Sequence, residues 1–301
     1  MQEAKQQIET QLKHNRPNLS ASSLNTYTII LASIYKKVFG IDDDFDISLF
    51  NKEADKILEH LKETNYSTRK TKLACLFVLS GNNKYQHQMI KDIGSYNDDL
   101  SKQEKNDKQK SSWINTDQLT TKYNELKHTS DLLYKKQSHT ANDLQQIQDY
   151  ILMCLYSNKF LPPRRLIDYT EFKMKEIDPE KDNYMHKNTF IFNKFKTVST
   201  YGKQTVNIPL QLRNIINKWT KLTGNDYLLI DKSGNKLTSV KLNQRLKAIL
   251  GNNSSVNAIR HGVLSEMFQP DIEMQNKMKD IAQKMATSAS TIQSQYLKKE
   301  N

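Results

Sequence analysis

The chain has 301 residues, enough for two ordinary domains or one large one, and its 45 Lys and Arg outnumber 33 Asp and Glu to give a formal charge of +12. Its two cysteines, Cys75 and Cys154, exclude a disulfide framework and a paired-cysteine metal motif. No apolar run is long enough to cross a bilayer, so we expect an intracellular, soluble protein without a membrane partner.

Helices are predicted throughout the first hundred residues. Ser22 and Ser23 are predicted to cap a helix that ends at Gly40, because the apolar residues between them keep helical spacing. A second helix is predicted from Ala54 to Leu61, and a third begins near Ser67.

The first turn of the third helix is cationic. It holds Arg69, Lys70 and Lys72, which oppose the helix dipole but could contact phosphate groups. A DNA contact and a solvated helix end are equally good interpretations of these three residues.

A polar stretch from Ser101 to Ser112 contains no apolar residue and is the clearest linker in the sequence. It predicts a helical domain over 1–100, a linker over 101–115 and a second domain over 116–301. A basic, flexible link would suit a protein that closes around a long ligand, and it would also suit any other two-domain protein.

The second domain is predicted to be mainly α with a small antiparallel β-sheet. A helix over 143–156 is broken at Leu161-Pro-Pro-Arg-Arg165, and strands are predicted over 189–192 and 205–210 on either side of a basic turn region. Further helices are predicted over 212–222, 240–250, 256–268, 271–285 and 290–297.

Basicity alone does not establish a nucleic-acid partner, because a Lys-rich, AT-biased genome would inflate lysine everywhere. Arginine is scarce, however, and it grips phosphate in a bidentate way that lysine does not. Cleaving a phosphodiester without a metal requires a nucleophile, cations on the non-bridging oxygens and an acid for the leaving oxygen. The second half of the chain has candidates for these roles in the order Arg165-Leu-Ile-Asp168, Lys196-Thr197, Asn257-Ala-Ile-Arg260-His261, Met285-Ala-Thr-Ser288 and Tyr296.

This order resembles the catalytic domain of the tyrosine recombinase (phage integrase) family over residues 116–301. That family has an arginine followed three residues later by an acid, a hairpin lysine, a His-x-x-Arg-His box, a Gly-His-Ser-like turn and then a tyrosine. Residues 1–100 are similar to its core-binding domain in size, helicity and position only. The Pro-Pro-Arg-Arg-Leu-Ile-Asp-Tyr stretch also resembles integrases of large DNA viruses and their satellite elements.

The resemblance implies an α+β catalytic domain whose arginines Arg165 and Arg260 clamp the scissile phosphate. Tyr296 would attack the phosphorus to give a 3′-phosphotyrosyl intermediate, and His261 would support the site. Arg164 is the other candidate in the doublet and would contact DNA; the spacing to Asp168, which would orient the arginine or its helix, favours Arg165.

The general acid implied by the resemblance is Lys196, which has Lys194 and Lys203 as competitors. Two positions depart from the family pattern: Asn257 stands for its first histidine, and Thr287 for its second histidine or tryptophan. Neither side chain is a base near neutral pH, so we expect slower removal of the tyrosine proton.

The resemblance further implies a homotetramer on a specific site in double-stranded DNA, needing no cofactor and no metal, that integrates, excises or resolves DNA. A type IB topoisomerase would share the chemistry but relax a single duplex. A catalytically degenerate relative would bind DNA without forming an adduct, and a basic helical scaffold would show no salt-sensitive DNA affinity.

Overall fold

The computed structural model describes residues 2–40, 45–251 and 254–297 and divides the chain into two compact units, 1–104 and 105–301. The division falls within the polar stretch that predicts the linker. Part of that stretch is helical, because Asn106 and Gln109 form a reciprocal capping box. No helix within the described ranges combines the length and the apolar character that a membrane span requires.

The first unit is a helical bundle. Its helices are α1 (Gln2–Asn15), α2 (Ala21–Phe39), α3 (Leu49–Lys52), α4 (Ala54–Leu61), α5 (Tyr66–Ser80) and α6 (Asn83–Ser101). The predicted cap of α2 was wrong: the hydroxyl of Ser20, not of Ser22 or Ser23, accepts from the backbone of Ser23. The predicted end of α2 at Gly40 and the bounds of α4 are confirmed.

The second unit is α+β. It contains α7 (Asp107–Ser111), α8 (Thr116–Leu133), α9 (Ala141–Tyr156), α10 (Leu166–Thr170), β1 (Phe172–Lys173), β2 (Asn183–His186), β3 (Thr189–Phe192), α11 (Val198–Tyr201), β4 (Gln204–Asn207), α12 (Leu210–Thr223), α13 (Ser239–Leu250), α14 (Val256–Met267), α15 (Gln269–Lys284), α16 (Ala289–Thr291) and a π-helix (Ile292–Tyr296).

The small sheet is mixed rather than antiparallel. Its strands lie in the order β1-β2-β3-β4; β1 pairs with β2 in parallel, and the other two pairs are antiparallel. The predicted strand over 189–192 is confirmed. The one predicted over 205–210 ends at Asn207, because Pro209 takes up the N-cap position of α12.

The core of the second unit surrounds α9, in which every residue from Ile147 to Tyr156 is buried. Next to it lies an aromatic cluster formed by Tyr169, Phe172, Phe190 and Phe192, whose ring centroids are 5.0–6.4 Å apart. These rings fix α10 against β1 and β3. Arg164 lies against the Phe192 ring of this cluster.

Candidate functional site: an arginine cleft

Three arginines meet beside one buried carboxylate in the second unit. A cleft of about 500 Å³ is lined by Arg164, Arg165, Asp168 and Arg260 together with residues of the turn between β3 and β4. Three guanidinium groups and one carboxylate leave two net positive charges (3 − 1 = 2). Such a cleft attracts an anion.

Arg164 is held by its neighbours. Its Nε lies 2.7 Å from Asp168 Oδ2, its Nη2 donates to Gln204 Oε1 at 2.9 Å, and its guanidinium stacks 3.9 Å from the centroid of the Phe192 ring. The ion pair that the sequence suggested for Arg165 is therefore made by Arg164. Arg165 instead occupies the N-cap of α10, where its side chain makes no capping bond.

Arg165 and Arg260 are the uncommitted cations of the cleft. Neither side chain has a hydrogen bond or an ion pair with any described residue, and the Nε of Arg260 is buried without a partner. Burial lowers the pKa of Arg260, and the like charge of Arg165 lowers it further. Because an unpaired buried donor is unfavourable, Arg260 is prepared to bind an oxyanion, and Arg165 offers further unpaired donors in the same cleft.

Asp168 balances part of this charge. Burial raises its pKa, against the opposing effect of Arg164, and its Oδ1 has no hydrogen-bond partner. The carboxylate therefore anchors Arg164 without neutralising Arg165 and Arg260.

The buried side-chain amide of Asn183 links α10 to the turn that carries Lys196, the predicted general acid. Asn183 Nδ2 donates to the carbonyl oxygens of Asp168 at 3.0 Å and Lys194 at 2.7 Å, and its Oδ1 accepts from the backbone of Asn193 and Lys194. Asn183 was not predicted as a site residue, because asparagine is disfavoured in strands and no strand was predicted around it.

The lysines of the turn differ in their contacts. Lys194 is paired with Glu171 at 2.8 Å, which leaves Lys196 and Lys203 as the exposed lysines flanking the cleft residues Thr197 and Gln204. Neither of these two lysines lines the cleft itself. Lys194 therefore has a carboxylate partner, whereas Lys196 and Lys203 have none among the described residues.

The helix that bears Arg260 is fixed by its other face. Gly262 packs so closely on Ile114 that a Cβ there would overlap the carbonyl oxygen of Ile114. The carboxylate of Glu266 accepts from the backbone and hydroxyl of Thr116 at the start of α8. Asn257 and His261 lie one turn apart on the exposed side of α14, and neither lines the cleft.

The predicted nucleophile lies outside this group. Tyr296 ends the π-helix, is 63% exposed and does not line the cleft. Thr287 follows Ala286, which has a positive φ of 53°, and its backbone N–H bonds Ala282 O at 2.9 Å. Arg164, Arg165, Asp168, Thr197 and Arg260 line one cleft, and Asn257, His261, Thr287 and Tyr296 are not among its lining residues.

Two of the three cationic residues in the first turn of α5 make contacts within the first unit. Arg69 forms a two-point contact with the buried Asp92 at 2.7 and 2.8 Å and donates to Lys62 O. The ammonium of Lys70 lies 3.0 Å from the centroid of the Tyr96 ring. Of the three cationic residues in this turn, Lys72 alone has no contact of this kind among the described residues.

Comparison with family models, curated proteins and solved structures finds no match to this chain. Among the described residues there is also no group of three His, Cys, Asp or Glu side chains arranged to hold a metal ion.

Proposed function

We propose that this protein is a DNA strand transferase of the tyrosine recombinase type, which cleaves and rejoins DNA through a phosphotyrosyl bond. The observation that carries the proposal is the pair of unpartnered guanidinium groups, Arg165 and Arg260, in a cleft with excess positive charge. Two guanidinium groups match the two non-bridging oxygens of a phosphodiester.

Exposure of the tyrosines also supports the proposal. Of 14 tyrosines, only Tyr201 and Tyr296 are exposed. A phenolic nucleophile must reach solvent-borne DNA, and the position of Tyr296 after the other motifs favours it. Because Tyr296 does not line the cleft, the proposal requires the segment that carries it to approach the phosphate when DNA binds.

In the proposed step, the hydroxyl of Tyr296 releases its proton to solvent, its oxygen attacks the phosphorus, and the bond to the 5′ oxygen breaks. Arg165 and Arg260 stabilise the charge on the non-bridging oxygens, and Lys196 gives its proton to the departing 5′ oxygen. Rejoining is the reverse attack by a 5′ hydroxyl from another strand. The bond energy is retained, so no nucleotide triphosphate is consumed.

The test is covalent trapping on nicked fragments of the DNA element that encodes the chain, with a chelator present. We expect a protein–DNA adduct that survives denaturant for the wild type and for Tyr201→Phe, and none for Tyr296→Phe. An adduct lost only in Tyr201→Phe would move the nucleophile to Tyr201. Adducts in both variants would overturn the tyrosine mechanism.

The placement of Tyr296 outside the cleft favours a second candidate, a DNA-binding protein of the same type without catalysis. It predicts salt-sensitive binding to the same fragments and no adduct for any variant.

A further inference from the structure

The arginine cleft has apolar lining residues as well as cationic ones. Besides the guanidinium groups, its lining includes Leu161, Pro162, Phe195, Val206 and Tyr201. A ligand that fills this cleft must therefore present a charged group and an apolar or aromatic group within one small volume. Inorganic phosphate would leave the apolar lining residues without a contact.

Tyr201 is the aromatic residue that this cleft offers to a ligand. It is 67% exposed, whereas Phe195 in the same lining is only 6% exposed. It ends the short helix α11, and Gly202, with a φ of 65°, turns the chain into β4 directly after it. The turn therefore places an exposed ring at the edge of a cleft that also holds two unpartnered cations.

We infer that the cleft takes one unpaired nucleotide, with its phosphate on Arg165 and Arg260 and its base against Tyr201. The faces of a base in an intact duplex are covered by its stacked neighbours, so a concave cleft can reach an aromatic face only when the nucleotide has left the stack. Aromatic side chains bind such bases by stacking, with little dependence on sequence.

This inference rests on the proposed function, which identifies the ligand as DNA. It adds the class of DNA substrate that the cleft takes. The preferred substrate has an unpaired base beside the phosphate that is cleaved. Tyr201 is then a residue that positions the substrate, while Tyr296 remains the nucleophile.

The test compares two nicked duplexes that differ in one base, which is either paired or unpaired beside the nick. Binding is measured by fluorescence anisotropy with Tyr296→Phe protein, so that no chemistry follows. We expect tighter binding of the unpaired substrate by roughly five- to a hundred-fold, the range that stacking of one base provides. The preference should persist in the additional variant Tyr201→Phe and disappear in Tyr201→Ala.

The matched control is Val240→Ala. Val240 is also 67% exposed, but it lies on α13 and does not line the cleft. This change should leave the preference intact.

A readout that needs no Tyr201 variant is 2-aminopurine at the unpaired position, whose fluorescence should be quenched when it stacks on the protein. Equal affinities for the two duplexes together with unquenched 2-aminopurine would overturn the inference while leaving the proposed function standing. Failure to bind either duplex in a salt-sensitive way would instead contradict the proposed function itself.

Discussion

At the scale of single residues, the neighbouring arginines of the doublet have different environments. Arg164 is bound by Asp168, Gln204 and Phe192, whereas Arg165 has no partner among the described residues. The sequence identifies both as candidates, and its spacing favoured Arg165 as the partner of Asp168, whereas Arg164 makes that pair. The turn after the double proline decides which arginine pairs with Asp168. It places Arg165 at the N-cap of α10 and leaves Arg164 to form the pair.

Replacing these arginines should therefore separate chemistry from stability. Arg165→Ala and Arg260→Ala should each slow adduct formation by about 10²–10³ while the second unit stays folded, because each removes one oxyanion contact. Arg164→Ala should lower the free energy of unfolding by about 1–3 kcal/mol, because it leaves the buried Asp168 carboxylate without its charged donor.

Tryptophan fluorescence can follow this unfolding selectively, since Trp113 and the fully buried Trp219 both lie in the second unit. Adduct yield would be measured on the same samples. If Arg165→Ala destabilised the unit as much as Arg164→Ala, the assignment of different roles would be wrong.

At the scale of the elements, periodicity predicts those helices that bury a continuous apolar face. The helices α4 and α9 were found in this way. The bounds of α6 were not predicted, because only Tyr85 and Asp92 are buried along its 19 residues. The strand β1 was missed because two residues are too few to show alternation, and β2 because its buried residue is the polar Asn183. The parallel pair that makes the sheet mixed could therefore not be foreseen.

The close packing of α14 gives a prediction that contrasts two helical glycines. A Cβ on Gly262 would overlap the Ile114 carbonyl, whereas one on Gly94, in α6, would meet nothing within 4 Å. Gly94→Ala should stabilise the first unit by about 0.5–1 kcal/mol through helix propensity. Gly262→Ala should destabilise the second unit by about 1–3 kcal/mol, because α14 must shift away from the backbone of Ile114.

Thermal unfolding of both variants, read by circular dichroism and by tryptophan fluorescence, checks this contrast. Because α14 also carries Arg260, we expect Gly262→Ala to lose adduct formation as well. A Gly262→Ala protein as stable as the wild type would show that α14 does not pack on Ile114 in this way.

The Arg69–Asp92 ion pair gives a prediction for the first unit. Arg69→Ala should lower the free energy of unfolding of that unit by about 1.5–3 kcal/mol, because it leaves the buried Asp92 without its charged donor. Lys72→Ala, which removes no ion pair, should leave stability unchanged. Circular dichroism would show the loss, while tryptophan fluorescence, which reports the second unit, should not change.

The same pair sets the sign of a pH dependence. Burial by itself would raise the pKa of Asp92, but hydrogen bonds from Arg69 and Gln88 outweigh it and hold the pKa below its ordinary value. Because the folded pKa lies below the unfolded one, this stability is present at neutral pH and is lost as the pH falls through the folded pKa. The difference between wild type and Arg69→Ala should therefore shrink in acid, and a difference that grew there would contradict the assignment.

At the scale of the whole molecule, the excess of basic residues admits two explanations that the sequence could not separate. Lysine enrichment across the genome would distribute positive charge over the protein without a function for it. A DNA-binding protein would instead concentrate part of its positive charge where phosphate binds. The described residues include both dispersed lysines and one cleft with excess positive charge. Many lysines form exposed ion pairs within one helix turn, and pairs of this kind contribute little to stability. In the arginine cleft, by contrast, the positive charge of the three arginines exceeds the negative charge of Asp168.

Salt dependence of DNA affinity distinguishes the two patterns. If the cleft binds phosphate, the logarithm of the affinity should fall linearly with the logarithm of salt concentration, and replacing both Arg165 and Arg260 by alanine should reduce that slope by about two. Replacing two exposed lysines that form helical ion pairs, Lys13 and Lys284, removes the same formal charge and should change the slope much less. Equal changes for the two double variants would mean that DNA responds to net charge alone. The cleft would then have no special part in binding.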